Sequence, residues 1–317
     1  GLTGEQPLGP ILQECRQTET PVVVFGTPET ELADCIEIDF FDSGYRLTEH
    51  LIAGGVAGLF PLGTTGEGPM LLPEQQKEVC QAVCRSAGGR IPVLAGIASA
   101  SPEESIALGQ AAARIGADLV VLPPPCYVPL TEEEILAFYR RVASEVPPPI
   151  FVYNMPSMVK TDLSVSQILR LAEIPGIAGY KDSSGNMNAF HEVIFALKDR
   201  PDFSLCAGPD TLMAESVLFG AAGGVNSGSN LYPGIFVNCW KAARNGELEK
   251  IRRCQEKIVR IQKLYHCPRG SSAVAEALKI GLQIRGICRN TLLAPHSPVP
   301  QELEKRIAAL MEEIEEE

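Results

Sequence analysis

With 317 residues, 45% of them hydrophobic, the chain is long enough to bury one large core or two small ones. Its formal charge of −12 argues against nucleic acid and anionic membrane surfaces as partners, although a local positive site can still hold a small anion. Ten scattered cysteines form no C-x-x-C pair, four histidines stand apart, and no apolar run is long enough to span a bilayer. Reduced thiols, a cytoplasmic location, and neither metal nor cofactor are therefore expected.

Residues 1–20 carry no clear period and read as an irregular arm. Pro21 to Phe25 is the first strand candidate, and Glu37 to Ala53 reads as a helix with Leu47, Leu51 and Ile52 on one side. Gly58 to Leu62 is a second strand, running straight into Gly63-Thr-Thr-Gly-Glu67; Pro73 then opens a helix to about Arg85. Strands over Ile91–Gly96, Leu119–Leu122, Ile150–Tyr153, Ile177–Lys181, Ser204–Ala207 and Gly223–Asn226 follow. Between and after them lie helices over Pro102–Ile115, Thr131–Glu145, Ser164–Ala172, Met187–Leu197, Thr211–Phe219 and Tyr232–Asn245. Thr131 and Glu134 have the spacing of a capping box. Eight strand–helix units in about 225 residues predict a (β/α)8 TIM barrel over residues 21–245. An open doubly wound sheet is the alternative, but Phe25-Gly-Thr-Pro28 is no G-x-G-x-x-G turn. After Asn245 the strand signals stop. Glu247–Tyr265, Ser271–Arg285 and Pro300–Glu316 read as a C-terminal three-helix region over residues 246–317, its acidic end a solvated, fraying helix.

In a barrel, chemistry gathers where strands end. Lys181 ends a short apolar strand, Ile177 to Tyr180, and a polar loop follows. An ammonium buried there would cost several kcal/mol, roughly, unless it lost its proton. A neutral amine attacks ketones. The plainer reading puts Lys181 in solvent at the start of a loop. Tyr153 ends the preceding strand, and Thr64 and Thr65 lie in the loop after the second. Cys126 and Tyr127 follow the fourth, Asp210 and Thr211 the seventh, and Asn226 and Ser227 the eighth. Each has a plainer reading too. Tyr153 could be an ordinary strand aromatic, the threonines turn caps, and Glu67 a first-turn acid. The run Gly223 to Gly228 could cradle a phosphate, but it holds no Lys or Arg. No histidine is placed to activate Cys126, so packing is its expected role. Jointly, imine chemistry needs an unprotonated lysine, a proton shuttle and donors for a neighbouring carboxylate. Lys181, Tyr153 and the Thr64–Thr65 pair can supply them.

Gly63-Thr-Thr-Gly-Glu67, Tyr153-Asn-Met-Pro156 and Gly179-Tyr-Lys181-Asp, in that order and spacing, resemble the signatures of the dihydrodipicolinate synthase / N-acetylneuraminate lyase family. The likeness runs from about Pro21 to about Glu304 and implies a pyruvate-dependent class I aldolase or lyase on a (β/α)8 barrel. It implies that Lys181 is the Schiff-base lysine and Tyr153 the proton relay and keto-acid contact. Thr64 and Thr65 would hold the carboxylate and join the relay, and the Asn226 backbone would face the pyruvyl group. Tyr127 matches a loop tyrosine that, in synthase members, reaches into the neighbouring subunit, so a homodimer or homotetramer is expected. Synthases carry an arginine shortly after the tyrosine motif; here Ser157-Met-Val-Lys160 stands instead, and a lysine lacks the bidentate fork. Gly66–Pro69, Pro123–Pro129 and Ser229–Pro233 are similar to stretches in 2-keto-3-deoxy-sugar-acid aldolases. Asp210, Thr211 and Ser227 align with positions that contact the sugar tail in sialic acid lyases. The expectation is a lyase acting on pyruvate and a 2-keto-3-deoxy sugar acid or related aldehyde. Dihydrodipicolinate synthase, N-acetylneuraminate lyase and a keto-deoxy-sugar-acid dehydratase are the alternatives on the same scaffold. A catalytically silent keto-acid-binding barrel is the reading from another class.

Overall fold

A computed structural model describes Val23–Phe25, Asp34–Ile36 and residues 40–315 apart from 269 and 271, with side chains from residue 42 onward. The chain divides into two units, Gly1–Phe40 and Phe41–Glu317. The predicted arm over residues 1–20 and the predicted helix start at Glu37 lie outside the described residues.

In the first unit, β1 (Val23–Phe25) pairs in parallel with β2 (Asp34–Ile36), Val24 opposite Cys35. Val23–Phe25 of the strand expected at Pro21–Phe25 is thus a strand, and its described partner is β2, a strand the sequence reading missed. Asp34-Cys-Ile36 is too short to show an alternation, so nothing in its pattern separates it from a loop.

Helix α1 (Phe40–Ala53) lies in the second unit from Phe41 on, and that unit carries six parallel strands in chain order. They are β3 (Leu94–Gly96), β4 (Leu119–Leu122), β5 (Ile150–Asn154), β6 (Ile177–Asp182), β7 (Ser204–Ala207) and β8 (Gly223–Gly224). The strand expected over Gly58–Leu62 survives as an edge segment. Leu59 bridges Val93, and the Gly96 N–H donates to the Pro61 carbonyl at 3.0 Å. Its proline at 61 has no N–H to extend the ladder, and Leu62 turns to a φ of 65°. Among the described residues no ladder joins β8 to this segment, so the observed sheet is a half-barrel rather than the closed eight-stranded ring expected.

Helices alternate with these strands because their ends are written locally. In α2 (Pro73–Ala87) and α3 (Pro102–Ile115) a proline opens the first turn, and Gly88 and Gly116 close them in the left-handed region. In α4 (Glu132–Glu145) the Thr131–Glu134 capping box forms as read, the Thr131 N–H donating to Glu134 at 2.7 Å. Tyr139 of α4 is fully buried and donates its hydroxyl to the Leu122 carbonyl at 2.9 Å, tying helix to strand with about 1 kcal/mol. The short α5 (Pro156–Val159) follows β5, then α6 (Val165–Ala172), α7 (Met187–Ala196), α8 (Met213–Leu218) and α9 (Pro233–Arg244).

Three helices close the chain: α10 (Leu248–Tyr265), α11 (Ala273–Ile284) and α12 (Gln301–Glu315). Their buried faces, with Ile258, Ile261, Leu278 and Ile307, share one core with Phe236 and Cys239 of α9. The packing therefore continues across residue 245. No helix of the described residues is long and apolar enough to cross a membrane.

Candidate active site

Parallel pairing lines up Tyr153, Lys181, Cys206 and Gly223 as one row across β5 to β8. Side chains alternate along a strand, so neighbours in such a row share a face. On this face Tyr153 joins Phe151 and Val121, with Phe60, Met155 and Cys206 against them. The opposite face is pinned by a polar network. Asp182 is buried; it accepts from the Tyr180 hydroxyl at 2.8 Å, Ser184 at 2.9 Å and the Asn154 amide at 3.1 Å. That amide also reaches Asp162 at 2.9 Å. Because Asn154 and Asp182 follow Tyr153 and Lys181 directly, the network locks the two strand ends and the side chains beside them.

Lys181 is 7% exposed. Its Nζ lies 4.1 Å from the centre of the Tyr153 ring and 4.9 Å from that of Phe60. The two rings meet edge to face at 6.1 Å. Burial holds the amine below the ordinary lysine range; Tyr153, Cys206 and Asp210 pull weakly the other way. Burial pushes the neighbouring Cys206 thiol up to about 11, so it is neutral at ordinary pH and gives Lys181 no counter-ion. The plainer reading, a solvent-facing lysine, does not survive this environment.

The hydroxyls converge from two loops. Thr64 Oγ1 lies 3.3 Å from the Tyr153 hydroxyl, and Thr65 Oγ1 lies 2.9 Å from Ser227 Oγ. The first loop sits tight on β3: a Cβ at Gly96 would lie 2.4 Å from the Leu62 carbonyl oxygen, and one at Gly68 2.1 Å. Glu67, which the sequence suggested as a first-turn acid, is instead 4% exposed and turned inward at φ 53°. It pairs with Lys279 of α11 and accepts from the Leu293 N–H at 3.0 Å. Lys279 also donates to the Thr291 carbonyl at 2.7 Å.

The loops after β7 and β8 are bound to each other. Asn226 is buried and donates to the Gly208 and Pro209 carbonyls at 3.0 and 3.2 Å, while its own carbonyl accepts from Ser229 at 2.6 Å. Asp210 is also buried. Its Oδ2 accepts from Tyr265 at 2.8 Å, Gln262 at 3.0 Å and the Gly228 N–H at 3.1 Å. Burial raises its carboxyl above the usual range, opposed by those donors. The Thr211 carbonyl is occupied by Gln255.

Lys181, Tyr153, Thr64, Thr65 and Ser227 are thus drawn together, with Asn226 and Asp210 beneath the loops that carry the hydroxyls. Tyr127 is apart: 95% exposed, at φ 79°, in the proline-rich loop after β4. Met158 is exposed, and the Lys160 ammonium is spent on the Ser157 carbonyl at 2.7 Å. Sequence reasoning missed Phe60, Cys206, Lys279, Gln262 and Tyr265. One signal was available: Gln262 sits on the same stripe of α10 as Ile258 and Tyr265, a polar residue where the period calls for an apolar one. Among the described residues no group of three His, Cys, Asp or Glu side chains is arranged to hold a metal ion.

The model of the dihydrodipicolinate synthetase family matches residues 37–314. Over 212 residues, 67% of this chain and 69% of the relative, the chain is 36% identical to an uncharacterized DapA-like lyase of Halobacterium salinarum. Among solved structures it resembles a dihydrodipicolinate synthase from Bacteroides thetaiotaomicron, with TM-score 0.83 and 42% identity over 87% of this chain and 93% of that one. It also resembles YagE, a prophage protein of Escherichia coli K12 in the dihydrodipicolinic acid synthase family, solved in complex with pyruvate. There the TM-score is 0.81, with 27% identity over 86% of this chain and 92% of that one. The half-barrel matches these neighbours, so the architecture is that of the TIM barrel.

Proposed function

Because the chain belongs to the dihydrodipicolinate synthetase family and is a class I aldolase or lyase, we propose that Lys181 forms an imine with the ketone of pyruvate or a pyruvate-derived 2-keto acid. The observation that carries the proposal is the Lys181 amine, buried and deprotonation-prone, 4.1 Å from the Tyr153 ring. The neutral Nζ adds to the ketone carbon. The Tyr153 hydroxyl returns the proton that releases the oxygen as water. The resulting iminium is cationic, and the faces of Tyr153 and Phe60 stabilise a cation there without quenching it with a carboxylate. In the cleavage direction the electrons of the C3–C4 bond flow into the iminium. An enamine and an aldehyde form, and the C4 hydroxyl proton leaves through Tyr153 and Thr64. Proton return to C3 and addition of water then release pyruvate and the amine. Thr65, with Ser227, holds the keto acid's carboxylate, and the Asn226 backbone faces its ketone end.

For the second substrate we favour a 2-keto-3-deoxy sugar acid or related aldehyde. Thr211, half-buried after the seventh strand, supplies a hydroxyl that suits a polyol, while Ser227, which the resemblance placed at the sugar tail, is bonded to Thr65. No guanidinium lies in the segment Ser157–Lys160 after the tyrosine motif, Met158 offers nothing to a carboxylate, and Lys160 is already bonded. Asp210, its Oδ2 fully engaged by the protein, fits an anchor better than the hydroxyl reader its position suggested. A second reading, dihydrodipicolinate synthase, is favoured by the 42% identical structure that bears that name. The exposed Tyr127 fits a homodimer or homotetramer in which it serves a neighbour's site. The free cysteines of the described residues fit a reduced, cytoplasmic setting.

Borohydride reduction in the presence of pyruvate tests the imine. The expected result is a covalent adduct on Lys181 that Lys181→Ala abolishes; an untrappable chain, or an adduct elsewhere, would refute it and favour a non-catalytic barrel. Cleavage of a panel of keto-deoxy acids, run beside condensation of pyruvate with aspartate semialdehyde, separates the two substrate readings. Efficient condensation would overturn the preference for sugar acids.

A further inference from the structure

Thr65 and Ser227 meet at 2.9 Å although they belong to loops on different strands. Hydroxyls on separate loops do not keep such a distance unless the backbone beneath them is fixed. Beneath Ser227 the next residue, Gly228, donates its N–H to Asp210 Oδ2 at 3.1 Å. The fit leaves no slack: a Cβ at Gly228 would stand 2.7 Å from that same oxygen. Asp210 in turn is held by two side chains one helical turn apart on α10, Tyr265 at 2.8 Å and Gln262 at 3.0 Å. A carboxylate this buried keeps its charge only if donors surround it. Those facing it are the Tyr265 hydroxyl, the Gln262 amide and the backbone of Ser227 and Gly228, with the Lys181 amine acting through charge from β6.

We infer that Tyr265 and Gln262 are positioning residues for the keto acid's carboxylate, acting through Asp210 and the Gly228 N–H on the Ser227–Thr65 hydroxyl pair. Neither side chain need touch the substrate. The inference rests on the imine reading above, since it assigns what the hydroxyl pair grips once Lys181 has bound the ketone. It gives α10 a share in recognition as well as in the core it forms with Ile258 and Ile261. A tyrosine serving only that core would have no bearing on which ketone the site accepts.

Tyr265→Phe and Gln262→Met in the full chain provide the test, with borohydride trapping of pyruvate against hydroxyacetone, a ketone without a carboxylate. Losing one donor to a charged acceptor should raise the half-saturating pyruvate concentration about tenfold. The trapping rate at saturation, and trapping of hydroxyacetone, should stay within about twofold of wild type. Equal weakening for both ketones would mark a purely structural role and overturn the inference. So would an unchanged response to pyruvate. If Tyr265→Phe does not fold, Gln262→Met is judged by the same ratio. Failure of the wild-type chain to trap either ketone would overturn the imine reading itself, and is thereby distinct from normal trapping that Tyr265→Phe leaves untouched.

Discussion

Around Lys181 the neighbours include two aromatic faces and a neutral thiol, whereas Thr65 and Ser227 are joined hydroxyl to hydroxyl above a hydrogen-bonded carboxylate. The first region is short-range: β5 and β6 pair directly, and their register alone puts Tyr153 beside Lys181. The second is assembled over distance, with Glu67 reaching Leu293 and Lys279, and Asp210 reaching Gln262 and Tyr265. The difference separates two tasks. Desolvation lowers the pKa of the amine, and desolvation needs only apolar cover. Hydroxyls keep fixed distances only where their loops are held, and these loops are tied to α10 and α11.

Substitutions that touch one region and spare the other break the comparison apart. Tyr153→Phe keeps the ring over Lys181 and removes the hydroxyl 3.3 Å from Thr64. It should lower kcat by roughly 10²–10³-fold with little change in stability. Steady-state kinetics and thermal unfolding check this, and a loss under tenfold would mean that another group moves the proton. Lys279→Met leaves the Glu67 carboxylate buried without its ion partner. It should destabilise the chain by about 3 kcal/mol and weaken pyruvate binding while a trapped imine can still form. The double change with Glu67→Leu should restore most of the stability, because a buried pair is replaced by apolar bulk. If it also restored pyruvate binding, the anchor would have no part in aligning Thr64 and Thr65.

The same contrast explains what was legible in the sequence. The capping box at Thr131, the helix start near Ser164 and the strand rhythm from β3 to β8 are written within a few neighbouring residues, and the structure reproduces them, with β6 running one residue past Lys181 to Asp182. Glu67 read as a helix-start acid because nothing near it in sequence reveals a partner 212 residues away. Asp210 read as a substrate contact because its donors lie 52 and 55 residues on, in a helix whose amphipathic period looked sufficient without them. Phe60 was passed over because an aromatic next to a proline in an edge strand has no distinguishing pattern. Strand counting pointed to the barrel architecture, whereas a three-residue strand such as β2 falls below what periodicity can register.

The pH dependence of imine formation bears most directly on the central claim, that burial makes Lys181 a nucleophile. Only the neutral amine attacks, so the trapping rate falls as pH drops through the amine's own pKa. Burial lowers that pKa, which moves the acid limb down from the ordinary lysine value of about 10.4. Pyruvate trapping with cyanoborohydride, followed at Lys181 from weakly acid to alkaline pH, should reach its plateau well below that value. A rate that keeps climbing until about 10.4, as for a lysine in water, would contradict the account.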